Sequence, residues 1–226
     1  EDVTDYPRET YARDLEDVIE ATTRFTLRVD GLTDDDHGAP SLLPAWSRAH
    51  VVGHIARNAE GMVNLVAWAL TGAVSPMYPS MQDRDAAIEA AAALPRHDLR
   101  AQLESACAAF AVAARRLGEA DDEALDRLLL FGAPPPGTVP DVPAWALAFA
   151  RLREVEIHHL DLAAGLRPSD WPEPFVDRMV AFLDSRGAPP AVLGPPADVV
   201  AWRLGRGEGL DVRLPDGSPA GEPPPW

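Results

Sequence analysis

The stretch "WSRAHVVGHIARNAEG", residues 46–61, reads as an amphipathic helix with a polar intrusion. His50, His54 and Asn58 recur every four residues, which lines them along one stripe beside Val51, Ile55 and Met62. A second stretch, "REVEIHHLDLAAG" at 153–165, repeats the pattern with Glu154 and His158. Helical residues four apart project side by side. A histidine from one helix and a Glu-x-x-x-His pair from another can thus supply three ligands to a divalent ion wherever the two helices meet. Imidazole and carboxylate at three corners suit zinc, and three protein ligands leave a fourth position open, the mark of a catalytic rather than a structural site. The candidate ligands are His54, Glu154 and His158.

Spacing leaves other readings open. A histidine on an apolar helix face is commonly a satisfied core residue, and Glu–His pairs four apart are common on solvated faces. His50 with His54 is a competing pair, whereas Glu156 and His159 are expected on other faces of the later helix. His50 falls in the first turn after Ser47, where a capping or substrate-facing role competes with ligation. Asn58 is a candidate pocket residue or a hydrogen-bond partner that orients a ligand.

Around the first stretch, Ser47 has the chemistry of an N-cap, and the helix is expected to run to about Leu70, with Gly72 as its stop. A helix over about 10–29 follows from Tyr11, Leu15, Val18, Ile19, Thr22 and Phe25, and another over about 98–117 from Leu99, Leu103, Ala106, Phe110 and Ala113. The fourth is expected from Asp141, with Pro143 in its first turn, to Gly165. A short helix is expected over 84–94, and "LFGAPPPGTVPDVP" cannot be helical. Four long helices imply an up-and-down or crossed bundle over residues 1–166. In 167–226 the sequence predicts a helix within "EPFVDRMVAFLDSRG", a shorter one within "PPADVVAWRLGRG" and one strand within "GLDVRLPDG", a tail expected to pack on the bundle. The fold class is mainly α, a four-helix bundle with a small, shortened α/β C-terminal domain.

A net charge of −16, from 36 acidic and 20 basic residues, repels phosphate backbones and anionic lipid, so nucleic acid and membrane partners are not expected. No apolar run approaches the roughly 20 residues that cross a bilayer, and "EDVTDYPRET" has neither a basic nor an apolar leader segment, so a cytoplasmic protein is expected. Cys107 stands alone on an apolar helix face, where a thiol behaves as a small hydrophobe. All basic residues except the histidines are arginine, a bias of high-GC bacterial genomes.

"LLPAWSRAHVVGHIARNAEGMVNLVAWALTG", followed by "SPMYPSMQDRDAAIEAAA", resembles the N-terminal domain of the mycothiol-dependent maleylpyruvate isomerases, members of the DinB-like metal-binding helical bundles. "REVEIHHLDLAAG" resembles their second metal segment, and the likeness covers most of residues 1–170. It implies zinc on His54, Glu154 and His158, the set that spacing also proposes, and mycothiol, the thiol of high-GC actinobacteria, as cosubstrate. In the tail, "AWRLGRGEGL" is similar to the helix end that carries the family's active-site arginine, which places that role on Arg206, while the strands expected between Gly187 and Ala197 are missing.

The implied reaction turns the cis double bond of maleylpyruvate, or of a related cis-enedioate, into the trans bond of fumarylpyruvate. Rotation about an intact C=C is too costly, so a thiolate adds, the new single bond rotates, and elimination restores the alkene. Arginine suits the substrate carboxylates because it is always charged and binds them bidentately. Arg84 and Arg206 are the candidate clamp, with Tyr78, Asn58 and His50 as candidate substrate- or thiol-binding residues; the competing readings are an ion pair of Arg84 with Asp83 or Glu89 and an interaction of Arg206 with the carboxyl end of its own short helix. Two other function classes fit the same residues, a different zinc- and thiol-dependent S-transferase and a non-enzymatic metal-binding bundle. The chain is expected to be a monomer or small homo-oligomer.

Overall fold

Helix α1, Tyr6–Asp30, buries Tyr11, Leu15, Val18, Ala21, Phe25 and Val29, a stripe at helical spacing that faces the core and takes Asp14 in with it, while Glu9, Glu16, Glu20 and Asp30 face water. The computed structural model describes residues 6–135, 137–187, 191–206 and 210–222. Its contacts divide the chain into two compact units, residues 1–162 and 163–226.

After α1 comes a single turn of helix, α2 (Asp34–Gly38), inside the stretch expected to be turns alone. Thr33 caps it and Asp36 closes the capping box. Helix α3, Arg48–Thr71, is the axis of the first unit. Ser47 caps it through its side chain, and Gly72 ends it with φ 73°, a left-handed conformation that favours glycine. Helix α3 packs against α5 (Arg96–Gly118), α4 (Met81–Ala92) and α7 (Leu147–Asp161), and α1 packs against α7 and α5. Buried residues therefore occur on every face of α3.

The approach to α7 differs from the expected helix. A short helix, α6 (Asp122–Asp126), leads into strand β1 (Leu128–Leu129), which pairs antiparallel with β2 (Val142–Pro143). Pro143 stands in this ladder rather than in a first helical turn, since proline is tolerated in a two-stranded ribbon where no ladder bond needs its nitrogen. A 3-10 turn over Ala144–Ala146 then leads into α7. Helix α7 ends at Asp161, short of Gly165, because Ala163 takes φ 52°.

The second unit holds α8 (Glu173–Ser185) packed with α9 (Pro196–Arg203), joined by Arg203 to Asp184 at 2.6 Å. The expected strand is reduced to bridges among its described residues, Leu193 with Arg213 and Arg213 with Pro219. Two backbone hydrogen bonds of 2.8 Å join Leu193 and Arg213, so part of the pairing absent from the sequence pattern between Gly187 and Ala197 exists in this form. A Cβ on Gly194 would lie 2.3 Å from the Asp211 carbonyl, so only glycine permits this approach. No helix among the described residues is long and apolar enough to cross a membrane.

Candidate metal centre

Helices α3 and α7 bring His54 and Glu154 together across 100 residues of sequence, with His54 Nε2 2.8 Å from Glu154 Oε2. His158, one turn beyond Glu154, places its Nε2 3.7 Å from the same oxygen, and its ring centroid lies 4.4 Å from that of His54. One donor atom from each of the three residues falls within 4.8 Å of the other two. The two stripes expected from the sequence therefore meet on facing helices.

The protonation states suit ligation. Burial pushes the His54 imidazole down to about 4, and the neighbouring His158 adds to the effect against the opposing pull of Glu154. Burial alone raises the Glu154 carboxyl, but the hydrogen bond with His54, together with His158 and Arg151, outweighs it and holds the group well below the usual carboxylate range. A neutral imidazole beside an ionised carboxylate is the form a divalent ion requires, so binding need displace little proton from them. An imidazole–carboxylate–imidazole set with nothing softer or harder in it fits zinc and its borderline neighbours rather than calcium or magnesium.

Around the ligands stand groups that the sequence left unassigned. Asp161, fully buried, brings Oδ2 to 2.9 Å from His158 Nδ1, an ion-pair approach outside hydrogen-bond alignment. Trp46 stacks on His50 and tilts against His54, with ring centroids 6.1 and 5.7 Å away. Arg151, fully buried, donates from Nη1 to Asn58 Oδ1 at 2.7 Å and to the Ile55 carbonyl at 3.0 Å, and its Nη2 lies 3.5 Å from Cys107 Sγ. An arginine three residues before Glu154 reads in sequence as a solvated ion-pair partner. Only the inward turn of α7 at Ala148, Arg151 and Val155, all buried, reveals its place.

The remaining sequence candidates divide. Arg84 stands at the centre: its Nη2 is 3.2 Å from His54 Nδ1, while Nη1 pairs with Asp85 at 2.6 Å, in place of the Asp83 or Glu89 pairing considered above. Tyr78 is buried next to it; burial raises its phenol, Glu154 adds to the rise, and Arg84 opposes it. Asn58 is buried as the partner of Arg151. His50 serves the start of α3, where its Nδ1 accepts from the Ser47 amide at 3.2 Å and its Nε2 faces Glu89 at 3.2 Å. Glu156 and His159 face α1, where Glu156 bonds Arg24 and His159 packs edge-on against Phe25. Arg206 belongs to the second unit, following α9, and donates from Nη1 to the Leu204 carbonyl at 2.7 Å.

Comparison with known proteins gives a consistent result. No curated protein matches the chain. Two solved structures do, one of a mycothiol-dependent maleylpyruvate isomerase and one of a histidine-to-alanine mutant of a mycothiol-dependent maleylpyruvate isomerase. Each is 28% identical, with a TM-score of 0.82 and coverage of 96% of this chain and 97% of that one. The family model described as the mycothiol maleylpyruvate isomerase N-terminal domain matches residues 18–163, a span that runs from α1 through both metal segments, and the chain belongs to that family.

Proposed function

We propose that the protein is a mycothiol-dependent cis–trans isomerase that converts maleylpyruvate, or a closely related cis-enedioate, into its trans isomer, with zinc held by His54, Glu154 and His158. The observation that carries this reading is the three-residue donor cluster on α3 and α7, within the family named for the reaction. When bound, the ion would hold a thiol sulfur at its open position and keep it ionised at neutral pH.

The chain's own groups then do the rest. In the cluster as it stands, Arg84 can only donate, so His54 accepts at Nδ1 and carries its proton on Nε2 toward Glu154. Were Nε2 to hold the ion, Nδ1 would carry the imidazole proton and could not accept from Arg84, which would leave Arg84 Nη2 available to a substrate carboxylate while Nη1 stays paired with Asp85. Asp161 Oδ2 stands 2.9 Å behind the His158 ring at Nδ1 and would orient it once the ring turns into alignment, the role of carboxylates behind ligating histidines. Tyr78 walls the same space and excludes water next to Arg84. Arg206 is the cation assigned to substrate capture by its sequence motif. Cys107 supplies no nucleophile: it is buried against Arg151, and burial raises its thiol. The thiol must come from outside.

Turnover of maleylpyruvate by the metal-loaded protein, followed by product identification with and without mycothiol, tests the proposal. Fumarylpyruvate formed only with thiol is the expected result. Full turnover without any thiol, or a stable thiol adduct as sole product, overturns it. We further propose that the protein acts in the cytoplasm.

A further inference from the structure

A cleft of about 540 Å³ opens between the end of α3 and the proline-rich loop, and nothing in the reaction above employs it. Trp68, Pro76, Leu130 and Pro134 form its walls, and Val74 and Met81 its rim. Val74 is 74% exposed and Met81 46%, so two large apolar side chains meet water at the mouth. The volume falls in the range that takes small molecules. Its polar groups are mostly committed: the Ser80 hydroxyl caps α4 and bonds Asp83 at 2.6 Å, and the Thr138 hydroxyl donates to the Pro135 carbonyl at 2.7 Å. A charged or hydroxyl-rich group placed here would leave its polar atoms unpaired, whereas an apolar group would lose nothing.

Tyr78 makes the cleft part of the site. It lines the cleft together with Ser80 and Met81, which stand one helical turn before Arg84 at the start of α4, and Arg84 Nη2 lies 3.2 Å from His54 Nδ1. The segment lies directly against α3 at Gly61, where a Cβ would lie 2.7 Å from Met77 Cγ, 3.1 Å from the Met77 carbonyl oxygen and 3.2 Å from Tyr78 Cε1. A molecule whose carboxylate meets Arg84 can thus extend one turn back along α4, over Met81, into apolar surroundings. We propose that this cleft binds an apolar substituent, an aromatic ring or branched alkyl group, carried by a carboxylate substrate whose reacting end lies at the metal cluster. This rests on the proposed reaction only for what happens at that end.

Saturated dicarboxylates isolate binding from chemistry, because they have no alkene for a thiol to attack. Succinate and benzylsuccinate are titrated calorimetrically into the metal-loaded full chain. Removing on the order of 100 Å² of apolar surface from water corresponds to roughly a fiftyfold gain, so benzylsuccinate should bind about fiftyfold more tightly than succinate. Val74→Asp and Met81→Asp, at exposed positions that the fold tolerates, should each reduce that ratio below about fivefold. Equal affinities, an undiminished ratio in both variants, or no binding of benzylsuccinate overturns the inference. So does a change of oligomeric state in Val74→Asp by light scattering, which would mean that a second copy of the chain covers the cleft. Failure of the reaction itself is separable: succinate that does not compete with maleylpyruvate turnover counts against the isomerase reading, while competing succinate with no gain from the benzyl group counts against the cleft alone.

Discussion

Replacing Arg151 by Met is the sharpest test of how the metal helices are held in register. The guanidinium is 0% exposed, and its hydrogen-bond partners are an amide oxygen, a helix carbonyl and a thiol, all neutral. Methionine keeps the apolar stem in the packing and deletes the donors. Hydrogen bonds from a charged donor contribute about 2 kcal/mol each, and the Asn58 oxygen is left buried without a partner, so the loss is about 4 kcal/mol. Relief of the cation's desolvation offsets about a quarter of this, leaving a net destabilisation of about 3 kcal/mol, at the low end for one partner removed from a buried charged contact. Urea unfolding of the metal-free protein, followed by circular dichroism, reads this directly. Arg151→Met/Asn58→Leu should recover about 2 kcal/mol, because the orphaned oxygen is gone. Asn58 lies one turn from His54 and Arg151 one turn from Glu154, so the single variant should also weaken metal binding. A coupling energy under about 0.5 kcal/mol would show that the Arg151–Asn58 contact does not tie α3 to α7.

Other outcomes follow from the same geometry. His158→Ala should strip most metal from the purified protein by elemental analysis, whereas His159→Ala and His50→Ala should keep it near wild-type content; metal loss in either of the latter would place the site on a different helix face. Asp161→Asn should weaken metal affinity by about 10- to 100-fold in a chelator competition, the usual effect of losing a carboxylate behind a ligating histidine. Burial, aided by Arg28 and Arg24, pushes His159 down to about 4 from 6.5, so the unfolded chain binds its proton first and this contribution is complete above pH 6.5. It should fall by about 3 kcal/mol as pH drops from 6.5 to 4 and be absent from a His159→Gln variant in the same titration. Arg206→Ala should cost on the order of 2 to 5 kcal/mol in transition-state stabilisation with metal content intact, and an unchanged kcat/KM would remove Arg206 from the mechanism.

How far the sequence could be read depends on the range of the cause. Ser47 and Gly72 delimit α3 because capping and left-handed termination are decided within a few residues. The His54 stripe and the Glu154–His158 pair are equally local, and one proximity, that of α3 to α7, turned them into a site. What escaped was set by distant partners. Pro143 suggests a helix start until Leu128 and Leu129, across a loop, offer it a ladder. Arg151 looks solvated until Ile55, Asn58 and Cys107 close over it, whereas Arg84, a clamp candidate with a competing ion-pair reading in sequence, lies at His54 and pairs with Asp85 at once. His50 carried two readings that one local bond to Ser47 separates, a case where rotamer rather than sequence distance decided.

The 100-residue separation of His54 and Glu154 has a thermodynamic corollary. An ion held by both is a cross-link, and the loop it closes contains α4, α5 and the β1–β2 ribbon. Such a link exists only in the closed chain, so free metal acts as a ligand of the native state alone and adds about 2.7 kcal/mol at a concentration 100 times its dissociation constant. Thermal stability should then report metal supply: a cell short of the ion would hold a population that is catalytically idle and also closer to unfolding, and proteolysis would clear it first.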